Sequence, residues 1–446
     1  MISIHPAERQ LEDFVFGRLD LEDNHRIVYH LLGGCPECRR ITAEVWGRVE
    51  DGLRAIRSPV DSAADHDGSG YARVVDRVID RAGQRASKLD RERAEAVSRM
   101  EELSKHPVPR QLTLVRNSRR FCSWGLCEAL IQDGFGQRFD DPAVALERIQ
   151  LAVEVAERVP EREYGRGLVR DLQGRAQSYL GNALRVTSDF ARAEEAFLRA
   201  RTLLADGTGD PLEKALLLRF EGHLAVAVRR FEVAPGLYDQ ALEIYRQCGE
   251  KGAEATTLLD KGYAFATADR PADAVTYLEE GLLRLDTVAE PRRALAARHN
   301  LVVCLNASGR HDEALRRLEE LRPSYRQLGD RLNLLRLRWL EGEILESLER
   351  TFPAEEALLE AREGFMAREM AWEAALVALD LAALFVRTLR PREVRRIAAE
   401  ILPVFESRRV GRETVAALIA FHQAAQIEAV SVGMVRELAS ALRRAR

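Results

Sequence analysis

The chain has 446 residues, 46% of them apolar and 31% charged, with 67 basic against 71 acidic side chains and a formal net charge of −4. That length exceeds one simple core and suits two or more domains, and the composition is that of a globular chain, not a disordered one. A balance this near neutrality excludes a general nucleic-acid footprint and a polyanion mimic, so partners must be argued from local features.

The N-terminal 50 residues carry the only constellation with metal-ligand chemistry: His5, His30, Cys35 and Cys38, the last three in the run His-Leu-Leu-Gly-Gly-Cys-Pro-Glu-Cys. Two thiolates and two imidazoles are the donors Zn²⁺ takes in a closed tetrahedral structural site, which leaves no position open for catalysis. His30 ends an amphipathic run in which Leu21, His25, Val28 and Leu32 recur at helix spacing. Pro36 suits the first turn of a following helix, so both sulfurs are expected near a helix N-terminus, whose dipole favours their ionised form. So short a unit buries little core and needs a metal staple. The competing reading takes His5 as a plain N-terminal residue and both cysteines as ordinary; thioredoxin-type redox chemistry lacks its βαβ context.

His5-Pro6, the spacer from Leu11 to Leu19, and His30 followed by Cys35-Pro-Glu-Cys38-Arg-Arg resemble the zinc-binding module at the N-termini of bacterial anti-sigma factors. That family usually places three residues between His and Cys, whereas Leu31 to Gly34 make four here, with a glycine pair to absorb the difference. The resemblance implies zinc as cofactor and a sigma factor as partner, with the zinc-pinned helices occluding its polymerase-binding surface. Leu11, Phe14, Val15, Leu19 and Leu21 are then the apolar contact residues, unless they form the module's own core.

Residues 51–70 read as a linker, plainest in the polar run Ser58 to Gly70. Residues 71–110 follow as a charged connecting helix with Val74, Val75, Val78 and Ile79 on one face, closed by Pro107 and Pro109.

From residue 111 to 405 the sequence repeats. Small residues recur at Ala193, Ala234, Ala274, Ala314 and Ala354, spaced by 41, 40, 40 and 40 residues, with Val394 in register. Four residues after each stands a larger side chain, Phe197, Tyr238, Leu278, Leu318 or Leu358, and three further on Ala200, Ala241, Gly281, Leu321 or Ala361. Twelve residues before stand Gly181, Gly222, Gly262 and Gly342, with Val302 breaking the rule. Ala145, Ile149 and Ala152 mark an earlier, divergent unit, which makes seven helix pairs. These offsets resemble the tetratricopeptide repeat, whose paired helices need a small residue where they cross, although a 40-residue period exceeds that family's usual 34. Residues 406–446 are expected to cap the stack.

The fold expected is therefore all-α: a small zinc-stapled helical module followed by a right-handed α-solenoid. The first (A) helices of the pairs line its concave face, which places Arg175, Asn182, Arg185, Arg219, His223, Tyr263, His299, Asn306, Arg336, Trp339 and Glu343 where an extended peptide or acidic tail would lie. The alternative is that many of them pack between neighbouring helices.

No phosphate-binding Gly-x4-Gly-Lys loop, His-Glu-x2-His helix, Gly-x-Ser-x-Gly elbow or kinase set occurs. Paired carboxylates such as Glu279-Glu280 and Glu355-Glu356, isolated histidines such as His106, His311 and His422, and basic pairs such as Arg119-Arg120, Arg316-Arg317 and Arg395-Arg396 read as solvated surface. The remaining cysteines, Cys122, Cys127, Cys248 and Cys304, lie on helical patterns and read as small buried apolar residues of a reducing compartment. No run reaches the roughly 18 apolar residues of a membrane span, the nearest, Ala374 to Val386, being broken by Asp380, and no signal peptide opens the chain. The expectation is a cytoplasmic, non-enzymatic regulator of the anti-sigma type whose repeats dock a protein or peptide. The rival is a repeat scaffold with a merely structural zinc module; a direct DNA-binding regulator lacks a visible basic face.

Overall fold

The computed structural model describes residues 6–15, 19, 23, 27, 30, 35, 37, 38, 40–45, 69–327, 329–406 and 412–444. Among them there is no strand. Two compact units divide at Asp260 and Lys261.

In the first unit, α1 (Glu8–Val15) belongs to the N-terminal module, and α2 (Ser69–Ser104) and α3 (Val108–Asn117) precede the repeats. The helix pairs then begin: α4 (Trp124–Gln137) with α5 (Pro142–Ala156), and, after the single turn α6 (Glu161–Tyr164), α7 (Arg166–Val186) with α8 (Phe190–Ala205) and α9 (Pro211–Ala227) with α10 (Ala234–Gln247). The division between the units falls inside α11 (Lys251–Thr267), the A helix paired with α12 (Pro271–Arg284). The second unit continues with α13 (Pro291–Ala307) and α14 (His311–Gln327), α15 (Arg331–Ser347) and α16 (Thr351–Met366), α17 (Ala371–Arg387) and α18 (Pro391–Glu406), and ends with α19 (Arg412–Gln426) and α20 (Val432–Arg444). Pro107 and Pro109 do not merely close α2. Pro107 is the N-cap of α3 and Pro109 lies in its first turn, where a missing N–H costs nothing.

Local chemistry sets the helix ends. Asp141, Asp189, Asp210 and Asp330 each accept a hydrogen bond from a backbone N–H of the helix they open. Pro142, Pro211, Pro271 and Pro291 sit in first turns. The A helices end in a repeated left-handed turn, at Ser188, Arg229, Asp269, Gly309, Glu349 and Leu389, with φ between 54° and 82°. The next residue's N–H then reaches back to close the helix, as from Arg230, Arg270, Arg310, Arg350 and Arg390, at 2.7 to 2.9 Å. Only one of these six positions is glycine, so composition alone does not reveal the turn.

The glycine frame has a steric cause. A Cβ on Gly181 would stand 2.5 Å from the Phe197 ring, on Gly222 2.7 Å from Tyr238, on Gly262 2.8 Å from Leu278 and on Gly342 2.7 Å from Leu358. The A helix is thus notched where the large B-helix residue crosses it, and Phe197, Tyr238, Leu278 and Leu358 are all buried. In the α13–α14 pair Val302 fills the frame position, buried like Leu318.

The second unit closes differently from its own repeats. α19 packs on α18, but α20 turns back and lies along α17. Val435, Leu438, Ala439 and Leu442 of α20 share one core with Leu376, Leu379, Ala382 and other residues of α17. This coverage explains the apolar run Ala374 to Val386: α17 is buried on nearly every face, as a helix apolar all round must be.

Gly222→Ala should therefore destabilise the chain by about 1–3 kcal/mol through overpacking against Tyr238. Gly236→Ala, whose added Cβ meets nothing within 4 Å, should be neutral or stabilise by up to about 1 kcal/mol. Chemical denaturation of the two variants against wild type measures the contrast, and equal effects would refute the notch.

Candidate functional site

Two regions bring sequence-predicted residues together: the N-terminal module and the A-helix faces of the two units.

In the module, the donor atoms of His30, Cys35 and Cys38 lie within 4.8 Å of one another. The four-residue spacer does not separate His30 from the cysteines. His5 and Leu21 lie outside the described residues. Cys38 is buried with Leu11 and Ile27, against Phe14, Leu19, Cys35 and Ile41, and the Thr42 hydroxyl donates to its carbonyl at 2.6 Å. Leu11 is thus core, not contact surface, while Phe14 and Leu19 are half-buried and the side chain of Val15 lies outside what is described. Whatever the helix dipole contributes, burial first, then the adjacent Cys35, push the Cys38 thiol up to about 11. A bound cation would reverse this by taking the thiolates as ligands. Two sulfurs and one imidazole, gathered from positions 30, 35 and 38, are the right donor kinds for Zn²⁺.

On the first unit's A-helix face Arg175, Arg219 and His223 join neighbouring helices. Arg175 of α7 donates to Glu213 of α9 at 2.7 Å and lies 3.5 Å from Glu128 of α4. Arg219 of α9 donates to Asp260 of α11 at 2.6 Å, and His223 Nε2 meets the same oxygen at 3.0 Å. Asn182 is 2% exposed and accepts two bonds from Arg185. Burial would raise the Asp260 carboxyl, but the Arg219 charge beside it outweighs that and holds it well below the usual carboxylate range. Burial pushes His223 below the ordinary histidine value, despite Asp260. Its Nδ1 has no hydrogen-bond partner among the described residues, so a second proton there would be buried unpaired.

The second unit repeats the arrangement. The Trp339 indole N–H of α15 donates to Asp380 of α17 at 2.6 Å. Arg219 and Trp339 both stand three residues before their frame glycine, and Asp260 stands two before Gly262 as Asp380 stands two before Ala382. One register rule therefore generates both bridges. Arg336 donates to Asn333, Asn306 pairs with His311 at 2.8 Å, and His299 lies 3.4 Å from the Tyr325 hydroxyl. Tyr263 differs. It is 53% exposed, and Val303, one repeat on at the same frame position, is 42% exposed.

Sequence reasoning missed Arg436 and Arg443 of α20, which reach Glu346 and the Glu343–Asp380 pair. Their spacing of seven on an amphipathic helix was the available signal. It also missed the arginine at Arg230, Arg270, Arg310, Arg350 and Arg390, a perfect 40-residue repeat. Three of these reach an acid on the preceding pair's B helix: Arg230 to Glu194 at 2.9 Å, Arg310 to Glu279 at 3.7 Å and Arg390 to Glu355 at 2.8 Å. Such exposed pairs fix register more than stability. Cys127 and Cys304 are buried and Cys122 and Cys248 half-buried. No helix among the described residues is long and apolar enough to cross a membrane.

No family model matches the chain, and no curated protein does. Among solved structures, the apo form of RapI is 12% identical, with a TM-score of 0.53 over 71% of this chain and 87% of that one. Aspartyl phosphate phosphatase F from Bacillus subtilis is 11% identical, covering 97% of both chains with a TM-score of 0.41. A Rap protein complexed with competence and sporulation factor is 14% identical, covering 78% of this chain and 99% of that one, also at 0.41. At these identities the likeness to RapI shows the fold alone: an all-helical, tetratricopeptide-like repeat array.

The His223 shift gives a pH dependence with a definite sign. The folded chain refuses a proton that the unfolded chain accepts below about pH 6.5, so stability is lost as pH falls through that value. Urea unfolding at pH 7.5 and 5.5 should show wild type losing about 1 kcal/mol more than His223→Gln, which keeps a donor to Asp260 without titrating. Equal losses in the two proteins would place a charged histidine in the folded state.

Proposed function

We propose that this chain is a non-enzymatic interaction protein whose repeats dock a segment of a protein partner. The observation that carries this reading is the exposure of Tyr263 and Val303 at equivalent positions on the second unit's A-helix face, beside His299 and Asn306. Other A-helix polar side chains are engaged between helices, as Arg219 with Asp260, or within one, as Arg336 with Asn333, so an aromatic and a β-branched side chain left exposed in register form a surface with binding energy to give. A photo-crosslinking side chain at Tyr263 should capture one discrete partner in cells. The same group at Phe352, 85% exposed on the B helix α16, should not. Indiscriminate or absent capture at Tyr263 would refute the docking face.

The module supports a second element of the proposal. The convergence of His30, Cys35 and Cys38, together with the resemblance to anti-sigma modules, supports a zinc-stapled unit that engages a sigma factor in the cytoplasm. These three residues would hold the ion, with His5 as the fourth ligand. The purified chain should carry one zinc, lost in a Cys35→Ser and Cys38→Ser variant, and co-purification with candidate sigma factors should be lost with it. A folded wild type without zinc excludes the metal site. Zinc binding without any sigma complex, and repression unchanged on deleting residues 1–50, leaves the module a structural staple on a repeat scaffold.

A further inference from the structure

The last helix, α20, is seated as a ligand would be. Its buried residues Val435, Leu438, Ala439 and Leu442 follow the spacing of one helical stripe, and each is under 5% exposed. Arg436 and Arg443, seven residues and thus about two turns apart, are 60% and 42% exposed. Arg443 donates to Glu343 at 2.6 Å and to both oxygens of Asp380 at 3.0 and 2.8 Å, with its guanidinium 5.5 Å from the Trp339 ring. Arg436 donates to Glu346 at 3.2 Å. Thus one amphipathic helix engages the A-helix face of α15 and α17 through an apolar stripe and two cations, the helix-in-groove mode of recognition.

The acceptors belong to the array. Asp380 and Trp339 follow the register of Asp260 and Arg219, where the array supplies its own cation. At Asp380 the array supplies only an indole. Among the described residues Glu343 has no ion-pair partner other than Arg443. Burial first, with Asp380 alongside, pushes the Glu343 carboxyl up to about 7 despite Arg443, whereas Glu346 is also paired with Arg387 of α17 at 3.0 Å.

We propose that the A-helix face of α15 and α17 is a docking site for a basic amphipathic helix with two arginines seven residues apart beside an apolar stripe, and that α20 is its intramolecular occupant. A partner segment of that pattern binds by displacing α20. This rests on the reading of the repeats as a docking scaffold and names the class of segment they take.

The test uses the full chain and, as probe, a fluorescent peptide of residues 430–446 read by anisotropy. In the chain Arg436→Glu with Arg443→Glu, α20 is weakened in cis, and the peptide should bind at least about tenfold tighter than to wild type. Adding Glu343→Gln and Asp380→Asn to that chain should abolish the gain. Equal binding to wild type and to the charge-reversed chain overturns the proposal. If the charge-reversed chain loses cooperative unfolding, wild type decides. At about 1 mM peptide, near the weak end of measurable binding, amide exchange in residues 432–444 should accelerate while residues 331–387 stay protected. Unchanged exchange in residues 432–444 makes α20 a fixed cap and overturns the proposal. Crosslinking at Tyr263 reports separately: capture there without a peptide effect refutes only the α20 site, and a peptide effect without capture refutes only the Tyr263 docking face.

Discussion

The repeats depend on one steric constraint, the crossing where a B-helix side chain enters a notch in the A helix. Phe197, Tyr238, Leu278 and Leu358 occupy space that any Cβ at Gly181, Gly222, Gly262 or Gly342 would claim. Because interiors are close-packed, that fit fixes the rotation of each A helix relative to its B helix. Rotation in turn decides which side chains face the neighbouring pair. Two of the A-to-A bridges, Arg219 to Asp260 and Trp339 to Asp380, occur at the same offsets from the notch for this reason.

Polar groups placed by that frame fall into two classes. Where adjacent repeats supply complementary partners, as with Arg175 and Glu213, the groups are half-buried or buried and hold register. Such pairs recover the cost of desolvation only when their geometry is complete. Where the frame supplies an incomplete set, as at Glu343 and Asp380, the deficit is met by a helix from the end of the chain. Function on a repeat array arises at those deficits and at positions such as Tyr263, where nothing in the array covers the side chain.

The N-terminal module obeys a different economy. Its small core centres on Leu11, Ile27 and Cys38, so the thiol is both packing and donor. The dipole of a short helical start is a surface-scale effect of a fraction of a kcal/mol, and burial of a thiolate beside another sulfur exceeds it. A bound cation and a retained Cys38 proton are alternative ways of satisfying the same buried sulfur.

Periodicity in the sequence was enough to determine the helix class, the 40-residue period and the notch residues, and ligand spacing was enough to bring His30, Cys35 and Cys38 together, because each is a short-range pattern with one dominant physical cause. Of the groove residues, their membership of the A helices was legible, but not whether each was engaged or exposed. Tyr263 and His223 occupy the same frame position, and only the neighbours contributed by other helices make one exposed and the other enclosed. The seating of α20 was decided by tertiary structure alone: Arg443 meets Glu343 across 100 residues and Asp380 across 63. No local pattern specifies such a meeting, because it depends on how α20 packs back against α17, not on anything within α20 itself.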